Sequence, residues 1–458
     1  MRINLSNKIT SPKESSKFKE VAQSLLSRSN FEKKGQKKEN KKWKIGHIQN
    51  YLNKNNCFAD RNTFHIAGSK GKGSTANFIN GIMNETLKSI YLFTSPDLHS
   101  LTERIIINNK KISKKKFIEI AKKYTENKEF NNWSYFELLT LIGWEAASKN
   151  KCDWQIIETG LGGRLDATNA MTKKTVNIIT PIDYEHTEIL GNSLREIAKE
   201  KAGIIQKKQH VVIAFMSNVP KNEIIKKAKY LQAQIHIMDL ECKILYKEQT
   251  LTSQIIDVTT PLRTYKNIIL NITGKHQAEN AVTAIRSCEI AWKEIYKKDI
   301  PAKYIINGLS KVFLAGRIEK INDSPLIIID SMHTALSAKR LEESLNDITL
   351  PSQRVIIFGS LKNKKINLIA KQICNKNTRI IITKPNSERA MPIEKIKYIF
   401  TQYTDRISTA DNLETALNSI SKKEKINKYI LITGSIYLIS EAREKILSIK
   451  GDRELGLR

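Results

Sequence analysis

Residues His65–Ile79, HIAGSKGKGSTANFI, could bind the phosphates of a nucleotide. Three glycines and two lysines stand between an apolar, strand-like run and a helical pattern. A loop of this kind points backbone N–H groups and the positive end of a helix at one spot, where phosphate is the usual ligand. Lys72 could reach the outer phosphates, and Ser74 or Thr75 could face a magnesium ion. Gly73 separates this lysine from the hydroxyls, unlike the common pattern, so an ordinary glycine turn in a lysine-rich chain is the alternative.

Acidic and histidine side chains follow two other strand-like runs. Glu158 ends the run WQIIE and precedes a glycine-rich loop that carries Arg164 and Asp166. The run PIDYEHTE, which contains His186, follows VNIIT. Magnesium prefers oxygen ligands, so Glu158 with loop hydroxyls could hold it, whereas histidine is a less usual ligand. The alternatives are a buried ion-pair partner for Glu158 and a capping or hydrogen-bonded histidine for His186.

The segment NSLREIAKEKAGII predicts a helix that begins after Asn192 or Ser193. Glu196 is placed to close a capping box with the serine. Lys199 and Lys201 would ordinarily be solvated. Lys201 abuts an alanine and a glycine in an apolar ending, however, so we expect one of its faces to be buried.

Short β-rich runs and longer helical patterns must position these side chains. The strand-like runs are FHIAG, SIYLFTS, WQIIE, VNIIT, HVVIAF, LIIID, RVIIFGS, RIIIT and YILIT, and the helical ones include YFELLTLIGWEAASK and HQAENAVTAIRSCEIAWKEIYKK. Such alternation predicts an α/β fold with parallel sheets, whose ligands bind beyond the carboxyl ends of the strands. A boundary between Lys297 and Phe313 predicts two α/β domains, residues 1–312 and 313–458.

Composition narrows the class of protein. The chain of 458 residues contains no apolar run near the roughly 20 residues that a membrane helix needs, so we expect no membrane partner. The N-terminal 20 residues lack the features of a targeting segment. Five scattered cysteines without a C-x-x-C pair favour a reducing compartment and argue against a zinc site. We therefore expect a cytoplasmic protein.

The net charge of +31 comes from 77 basic and 46 acidic residues. A field of this sign attracts nucleic acids, acidic membranes and polyanionic small molecules alike. A coding bias toward lysine, isoleucine and asparagine explains the excess equally well, and aromatic residues do not interleave with the basic runs as a stacking surface would require. We therefore do not expect nucleic acid as a partner, and we interpret the lysine-rich tract Glu32–Lys44 as a solvated tail or loop.

From Phe64 onward the sequence resembles the folylpolyglutamate synthase and dihydrofolate synthase family, a branch of the Mur ligases. The motifs that carry the resemblance, in order and at matching intervals, are HIAGSKGKGST, LFTSPDLHSLTERI, FELLTLIGWEAA, IIETGLGGRLDATNA, DYEHTEILG, IAKEKAGII, GKHQAENAVTA, LAGRIE, IIIDSMH and ITGSIYL. The resemblance implies an N-terminal Mur-ligase-like P-loop ATPase domain and a smaller C-terminal Rossmann-like α/β domain. Members join a carboxylate to the amine of glutamate with ATP and magnesium, through an acyl phosphate.

The resemblance also implies roles for residues. The residues implied in ATP binding are Gly71, Lys72, Gly73, Ser74, Asn280, Arg317 and Asp330. Those implied as ligands of two magnesium sites are Ser95, Glu158, His186 and Lys201, the last as a carbamylated lysine. Those implied in catalysis are Lys72, His186, Lys201 and His333. Those implied in substrate contact are Arg164, Asp166 and Ser435.

Five positions depart from the family pattern. Lys70 stands where an asparagine is usual, and Asp97 where a histidine is common. In DSMHTA, the family's glycine, asparagine and proline are replaced by Ser331, Thr334 and Ala335. The last three positions bear on the orientation of glutamate or on its specificity.

We therefore expect a monomeric ATP-dependent ligase that adds L-glutamate to a folate, with dihydropteroate as a further acceptor. Two alternatives remain open at this stage. One is a Mur-type amide ligase with another carboxylate acceptor, against which the run GLGGRLDATN argues. The other is a catalytically lapsed, basic protein that binds nucleic acid or another polyanion, against which Lys72, Glu158, His186 and Lys201 argue.

Overall fold

A computed structural model describes residues 12–29 and 44–457 of the chain. Packing divides the chain into two compact units, which are described separately. Unit 1 comprises Met1–Leu240, Thr283–Ile300 and Asp452–Arg458, and unit 2 comprises Glu241–Val282 and Pro301–Gly451. The domain boundary expected between residues 312 and 313 stays a prediction. Most of the lysine-rich tract and the first eleven residues, on which the tail and targeting expectations rest, lie outside the described residues.

Unit 1 contains an eight-stranded sheet. Its strands are β1 (Asn62–Ala67), β2 (Ile90–Phe93), β3 (Ile105–Ile107), β4 (Lys110–Lys111), β5 (Trp154–Glu158), β6 (Val176–Ile179), β7 (His210–Ile213) and β8 (Gln234–Ile237). Their spatial order is β4-β3-β2-β5-β1-β6-β7-β8, with antiparallel pairing only among β2, β3 and β4. The central strands β5 and β6 are buried along their whole length, which explains why they read as continuous apolar runs.

Helices flank this sheet. Those of the first half of the chain are α1 (Pro12–Leu26), α2 (Gly46–Lys54), α3 (Lys72–Asn84), α4 (Lys114–Thr125), α5 (Tyr135–Lys149), α6 (Thr187–Leu190), α7 (Leu194–Lys201), α8 (Asn218–Tyr230) and α9 (Met238–Glu241). A core formed largely by α1, α4 and α5 includes Phe18, Phe117, Leu139 and Trp144. Burial of each such side chain contributes about 1.5–3 kcal/mol.

The predicted helix around Lys201 is confirmed as α7. Ser193 is its N-cap, and its hydroxyl accepts a hydrogen bond from the Glu196 N–H while the Glu196 carboxylate accepts one from the Ser193 N–H. This is the capping box expected from the sequence.

Unit 2 contains two sheets. The first is antiparallel and consists of β9 (Lys243–Gln249), β10 (Gln254–Thr259) and β11 (Thr264–Leu270). The second consists of β12 (Glu319–Asp323), β13 (Leu326–Asp330), β14 (Arg354–Phe358), β15 (Arg379–Thr383), β16 (Ile407–Ala410) and β17 (Tyr429–Thr433). Its order is β12-β13-β17-β14-β15-β16, parallel except for β12.

The remaining helices are α10 (Lys275–Tyr296), α11 (Ala302–Ser310), α12 (Ala335–Asn346), α13 (Ile366–Ile373), α14 (Ile393–Phe400), α15 (Leu413–Asn418), α16 (Lys422–Asn427) and α17 (Ile436–Leu447). By residue assignment, α10 belongs to unit 2 as far as Val282 and to unit 1 from Thr283. Among the described residues, no helix is both long and apolar enough to cross a bilayer.

The α/β fold with parallel sheets is confirmed, and every run that the sequence analysis reads as a strand is a strand. The antiparallel sheet β9–β11 was not predicted. Its strands carry polar residues at many positions, and several of their side chains are exposed. Their apolar signal is therefore weaker than that of the buried parallel strands.

A buried ion pair in unit 2 gives a stability prediction. The guanidinium of Arg354, at the start of β14, is 1% exposed and bonds to the Glu342 carboxylate of α12. We expect Glu342→Ala to lower the free energy of unfolding of unit 2 by about 3–5 kcal/mol, because it leaves a buried charge without its counterion. Urea unfolding followed by circular dichroism measures the loss, and tryptophan fluorescence reports unit 1 separately because unit 2 contains no tryptophan.

The neighbouring residue supplies a matched control. Glu343 is 58% exposed and pairs with Lys339 on the surface of α12. Glu343→Ala should cost less than about 1 kcal/mol, as exposed pairs do. Equal losses in the two variants would contradict this account of the buried pair.

Candidate active site

The phosphate loop lies between β1 and α3. Gly68 and Gly71 have φ values of +153° and +83°, which favour glycine, and a Cβ on Gly68 would lie 1.9 Å from the Thr180 hydroxyl oxygen. The N–H groups of residues 69 and 70 donate to the Pro181 carbonyl, at 2.9 and 3.0 Å. Lys72 begins α3, and its Nζ lies 3.0 Å from the Gly68 carbonyl oxygen. The loop is therefore held in a shape that directs a helix N-terminus and a lysine to one place, as predicted.

A carboxylate lies directly beside this loop. A Cβ on Gly73 would lie 3.4 Å from Glu158 Oε2, and the same oxygen accepts a hydrogen bond from the Ser95 N–H at 3.1 Å. Three segments that are distant in sequence thus meet at the carboxyl ends of β1, β2 and β5. The hydroxyls of Thr75 and Thr159 are buried without a hydrogen-bond partner, so additional polar groups face the interior here.

This donor set fits magnesium bound together with a nucleotide. Magnesium is typically held by one or two carboxylates, waters and substrate phosphates rather than by an all-protein cage. Glu158 supplies a carboxylate that is 3% exposed, and Ser95 lies next to it. Within residues 12–29 and 44–457, no group of three or more histidine, cysteine, aspartate or glutamate side chains could hold a metal by itself. Phosphate oxygens would have to complete the coordination.

Lys201 lies at the same edge, and its predicted burial is confirmed. Its side chain is 1% exposed, and Nζ donates to the Gly68 carbonyl at 2.8 Å and to Glu185 Oε1 at 2.7 Å. Burial lowers the pKa of Lys201, against the opposing effect of Glu185. Burial alone would raise the pKa of Glu185, but the ammonium groups of Lys201, Lys72 and Lys70 lower it to about 2. Phosphate would therefore meet a net positive field.

His186 has a different environment. It is the N-cap residue of α6 in a left-handed conformation, with φ +47°, and its side chain is 46% exposed. Its Nδ1 lies 4.0 Å from Glu188 Oε1, whereas Glu158 is buried. A second metal held by His186 and Glu158 stays a prediction.

The glycine-rich loop, residues 159–170, follows Glu158. A Cβ on Gly163 would lie 2.9 Å from the backbone oxygens of Glu200 and Lys201, so the loop touches the end of α7. The Arg164 side chain is 55% exposed and pairs with Glu200 at 3.0 Å. Asp166 is 4% exposed.

The carboxylate of Asp166 accepts hydrogen bonds from the N–H groups of Leu161, at 2.8 Å, and Thr168, at 3.0 Å. Burial raises the pKa of Asp166, and these N–H groups oppose the shift. Asp166 thus shapes the loop. Contact of Arg164 or Asp166 with a substrate stays a prediction.

In unit 2, Asp330 ends β13. Its two carboxylate oxygens accept hydrogen bonds from the N–H groups of Ile318 and Met332, at 3.0 and 2.8 Å. Burial raises the pKa of Asp330, while the positive charge of Arg317 lowers it. The charge of Arg317 thus acts on Asp330, and the role of both residues toward ATP stays a prediction. His333 Nδ1 lies 2.9 Å from the Ser331 carbonyl oxygen.

The two other predicted residues of unit 2 have local partners. Asn280 is buried, and its Nδ2 donates to the Gln277 side chain at 3.1 Å. Ser435 is the N-cap of α17, where its hydroxyl accepts a hydrogen bond from the Leu438 N–H. The N-cap bond gives Ser435 a structural role, and its role toward glutamate stays a prediction.

Sequence reasoning missed two titratable groups. Glu185 lies in the run PIDYEHTE, but no local pattern indicates its pairing with Lys201, because 16 residues separate them. His276 was not singled out at all. Burial and the charges of Arg340 and Arg317 lower its pKa to about 3, so a neutral imidazole lies beside two arginines. The motif GKHQAEN was the available signal for it.

Known proteins match the chain over most of its length. Residues 66–288 match the Mur ligase middle domain, and residues 316–436 match the Mur ligase glutamate ligase domain. The dihydrofolate synthase/folylpolyglutamate synthase of Bacillus subtilis is 29% identical over 84% of this chain and 90% of its own length. The protein of the same name from Buchnera aphidicola subsp. Baizongia pistaciae is 30% identical over 83% of this chain and 85% of its own length.

A solved structure agrees. Mycobacterium tuberculosis folylpolyglutamate synthase, complexed with ADP and AMPPCP, aligns with a TM-score of 0.84 and 24% identity over 94% of this chain and 99% of that one. At this identity the likeness establishes the fold alone. Together with both domain matches and the 30% identical relative, the motifs above show that the chain belongs to the folylpolyglutamate synthase and dihydrofolate synthase family of Mur ligases.

Proposed function

We propose that this protein is an ATP-dependent ligase that joins L-glutamate to the carboxylate of a folate, with dihydropteroate as a second candidate acceptor. One observation carries the proposal. Gly73, in the first turn of α3, lies against the buried carboxylate of Glu158: a Cβ at this position would lie 3.4 Å from Glu158 Oε2. A nucleotide phosphate and its magnesium ion need such a pairing of N–H groups, a lysine and a carboxylate. The curated relatives bear the names of enzymes that carry out this ligation.

The protein need not supply a nucleophile for this reaction, because the acceptor carboxylate and the glutamate amine are the nucleophiles. Its main task is to neutralise the negative charge of the transferred phosphoryl group. The γ-phosphoryl group of ATP passes to the acceptor carboxylate, and ADP remains. The amine of glutamate attacks the acyl phosphate and loses a proton, and phosphate leaves as the amide forms. Lys72 and the N–H groups at the start of α3 would stabilise the phosphoryl charge in the first step. Bound with the nucleotide, magnesium would neutralise further phosphoryl charge.

Ser95 and Glu158 would hold the first magnesium ion, and His186 with Glu158 a second. We further propose that Lys201 is carbamylated and serves as an anionic metal ligand. Burial supports this, because it lowers the pKa of Lys201 and so favours the neutral amine that reacts with carbon dioxide. The unmodified ammonium is paired with Glu185, so carbamylation must break that ion pair.

The family resemblance implies further ligand contacts by residues of the second half of the chain. Asn280, Arg317 and Asp330 would bind the nucleotide, and the Arg317–Asp330 proximity supports a shared ligand for these two. His333 would orient glutamate, with Ser435 as a further contact. The substitutions in DSMHTA bear on this step, and the Ser331 hydroxyl is buried without a partner there. We also propose that the enzyme acts as a monomer in the cytoplasm.

Phosphate release tests the function directly. With ATP and magnesium, we expect turnover that requires both glutamate and an acceptor, because the acyl phosphate is productive only when the amine is present. Dihydropteroate and tetrahydrofolate are offered in separate reactions, and the acceptor that supports turnover separates a bifunctional enzyme from a chain-extending one. A folded protein that binds ATP but turns over neither acceptor would contradict the proposal and favour another Mur-type acceptor.

Lys201→Ala tests the carbamylated lysine. We expect loss of turnover, with partial recovery when short-chain carboxylic acids supply the missing carboxylate. The control is Lys199→Ala on the same helix, whose side chain is exposed and whose loss should leave turnover near the unaltered level. Full activity of Lys201→Ala without added acid would exclude a role for the carbamate.

The alternative of a lapsed polyanion-binding protein predicts a different dependence on salt. Binding through many phosphate contacts loses about 10³–10⁵ in affinity between about 50 and 200 mM salt. We expect glutamate-dependent turnover to change far less over that range, because one nucleotide makes only a few phosphate contacts. Tight nucleic-acid binding with this steep slope, in a protein without turnover, would favour the alternative.

A further inference from the structure

Lys174 is a buried lysine that the proposed mechanism does not use. It lies between the glycine-rich loop, residues 159–170, and β6, and it is 4% exposed. Its Nζ donates hydrogen bonds to the Asn169 side-chain oxygen at 2.5 Å and to the Ile204 carbonyl at 2.8 Å. One ammonium therefore joins the glycine-rich loop to the turn Ala202–Ile204.

Asn169 strengthens this connection. Its Nδ2 donates to the Arg164 carbonyl at 3.0 Å and to the Gly203 carbonyl at 3.2 Å. The two segments are in close contact, since a Cβ on Gly203 would lie 2.3 Å from the Cβ of Arg164. Only a glycine at position 203 permits this close approach of the two segments.

The turn Ala202–Ile204 directly follows Lys201. The Arg164 N–H donates to the Glu200 carbonyl at 2.8 Å, so the glycine-rich loop is also attached to the last turn of α7. The glycine-rich loop is therefore attached both to the turn Ala202–Ile204 and to the end of the helix that precedes it.

Burying this ammonium is costly. Burial lowers the pKa of Lys174 to about 7, although the Asp166 carboxylate opposes the shift. A methionine of similar length would fill the space without that cost. If Lys174 served only to fill space, the cation would be a poor choice, whereas joining two backbone segments requires donors at its tip.

We propose that Lys174 is a positioning residue that holds the glycine-rich loop and the turn after Lys201 in one fixed arrangement, and thereby places Arg164 and Asp166, the loop residues that the family resemblance implies in substrate contact, for the folate acceptor. This inference rests on the proposed function. Lys174 itself touches no substrate in this scheme, and the phosphate loop retains its own contacts with Pro181. Loss of the Lys174 ammonium should therefore weaken acceptor binding far more than nucleotide binding.

The test is Lys174→Met, with Lys173→Met as the matched control because the Lys173 side chain is exposed. We expect the KM for the acceptor to rise about tenfold or more and the KM for ATP to stay within about twofold, because small displacements of positioning groups carry penalties of this size. Lys174→Arg, which keeps a charged donor, should recover part of the loss. Lys173→Met should match the unaltered enzyme.

Hydrogen–deuterium exchange gives a second measurement that does not depend on turnover. In Lys174→Met we expect faster exchange in residues 160–170 and 200–205 together, with unchanged exchange in residues 68–75. Equal changes in both KM values, or an unchanged acceptor KM, would overturn the inference, as would unchanged exchange in either segment.

If the variant does not fold, Asn169→Ala replaces it, with the same expected results and the same overturning ones. Absence of glutamate-dependent turnover in the unaltered enzyme would instead overturn the proposed function, and the exchange experiment would still decide whether Lys174 couples the segments.

Discussion

The ammonium of Lys201 connects the parts of unit 1 on which the site depends. It is buried, and it bonds at once to the Gly68 carbonyl of the phosphate loop and to the Glu185 carboxylate that follows β6. A buried charge is tolerated only when such partners are present. The two bonds of Lys201 hold the end of α7, the phosphate loop and the segment after β6 together. The family resemblance assigns carbamylation to the same nitrogen, Lys201 Nζ, which in its unmodified state connects these segments through its bonds. Carbamylation would therefore change both the local charge and these bonds.

The second constraint on the site is close backbone approach at glycine positions. Gly163 and Gly203 lie where a Cβ would contact backbone or side-chain atoms of the opposing segment, and Gly73 leaves room beside the Glu158 carboxylate. The run GLGGRLDATN is therefore shaped by close backbone approach as well as by any substrate. Asp166 illustrates this, because the N–H groups of its own loop already donate to its carboxylate. A motif residue of this kind can act on a ligand through the loop that it shapes.

Local electrostatics matter more here than the net charge of +31. The field at the phosphate loop comes from Lys70, Lys72 and Lys201 against the carboxylates of Glu185 and Glu158, and the three lysines hold the pKa of Glu185 at about 2 although its burial opposes this. Exposed lysines elsewhere are screened by salt beyond about 8–10 Å and add little at this spot. In unit 2, by contrast, burial and then the charges of Arg340 and Arg317 lower the pKa of His276 to about 3 and hold it neutral. The sign and position of a few buried groups define the site.

The sequence by itself determined the α/β class, the parallel strands, the capping box of α7 and the position of the phosphate loop. These follow from local patterns: continuous apolar runs, helical periodicity, and glycines before a helix. The family also follows from the order of motifs, each of which is a contiguous stretch.

The antiparallel sheet β9–β11 escaped prediction because its half-exposed strands give a weak apolar signal. Only the tertiary structure decided that Lys201 pairs with Glu185, that Asp166 is buried within its loop, and that Lys174 joins the loop to the turn at Ile204. The Lys201–Glu185 and Lys174–Ile204 pairings join residues 16 and 30 positions apart in sequence, and packing of the sheet edge, which no local pattern encodes, brings them together.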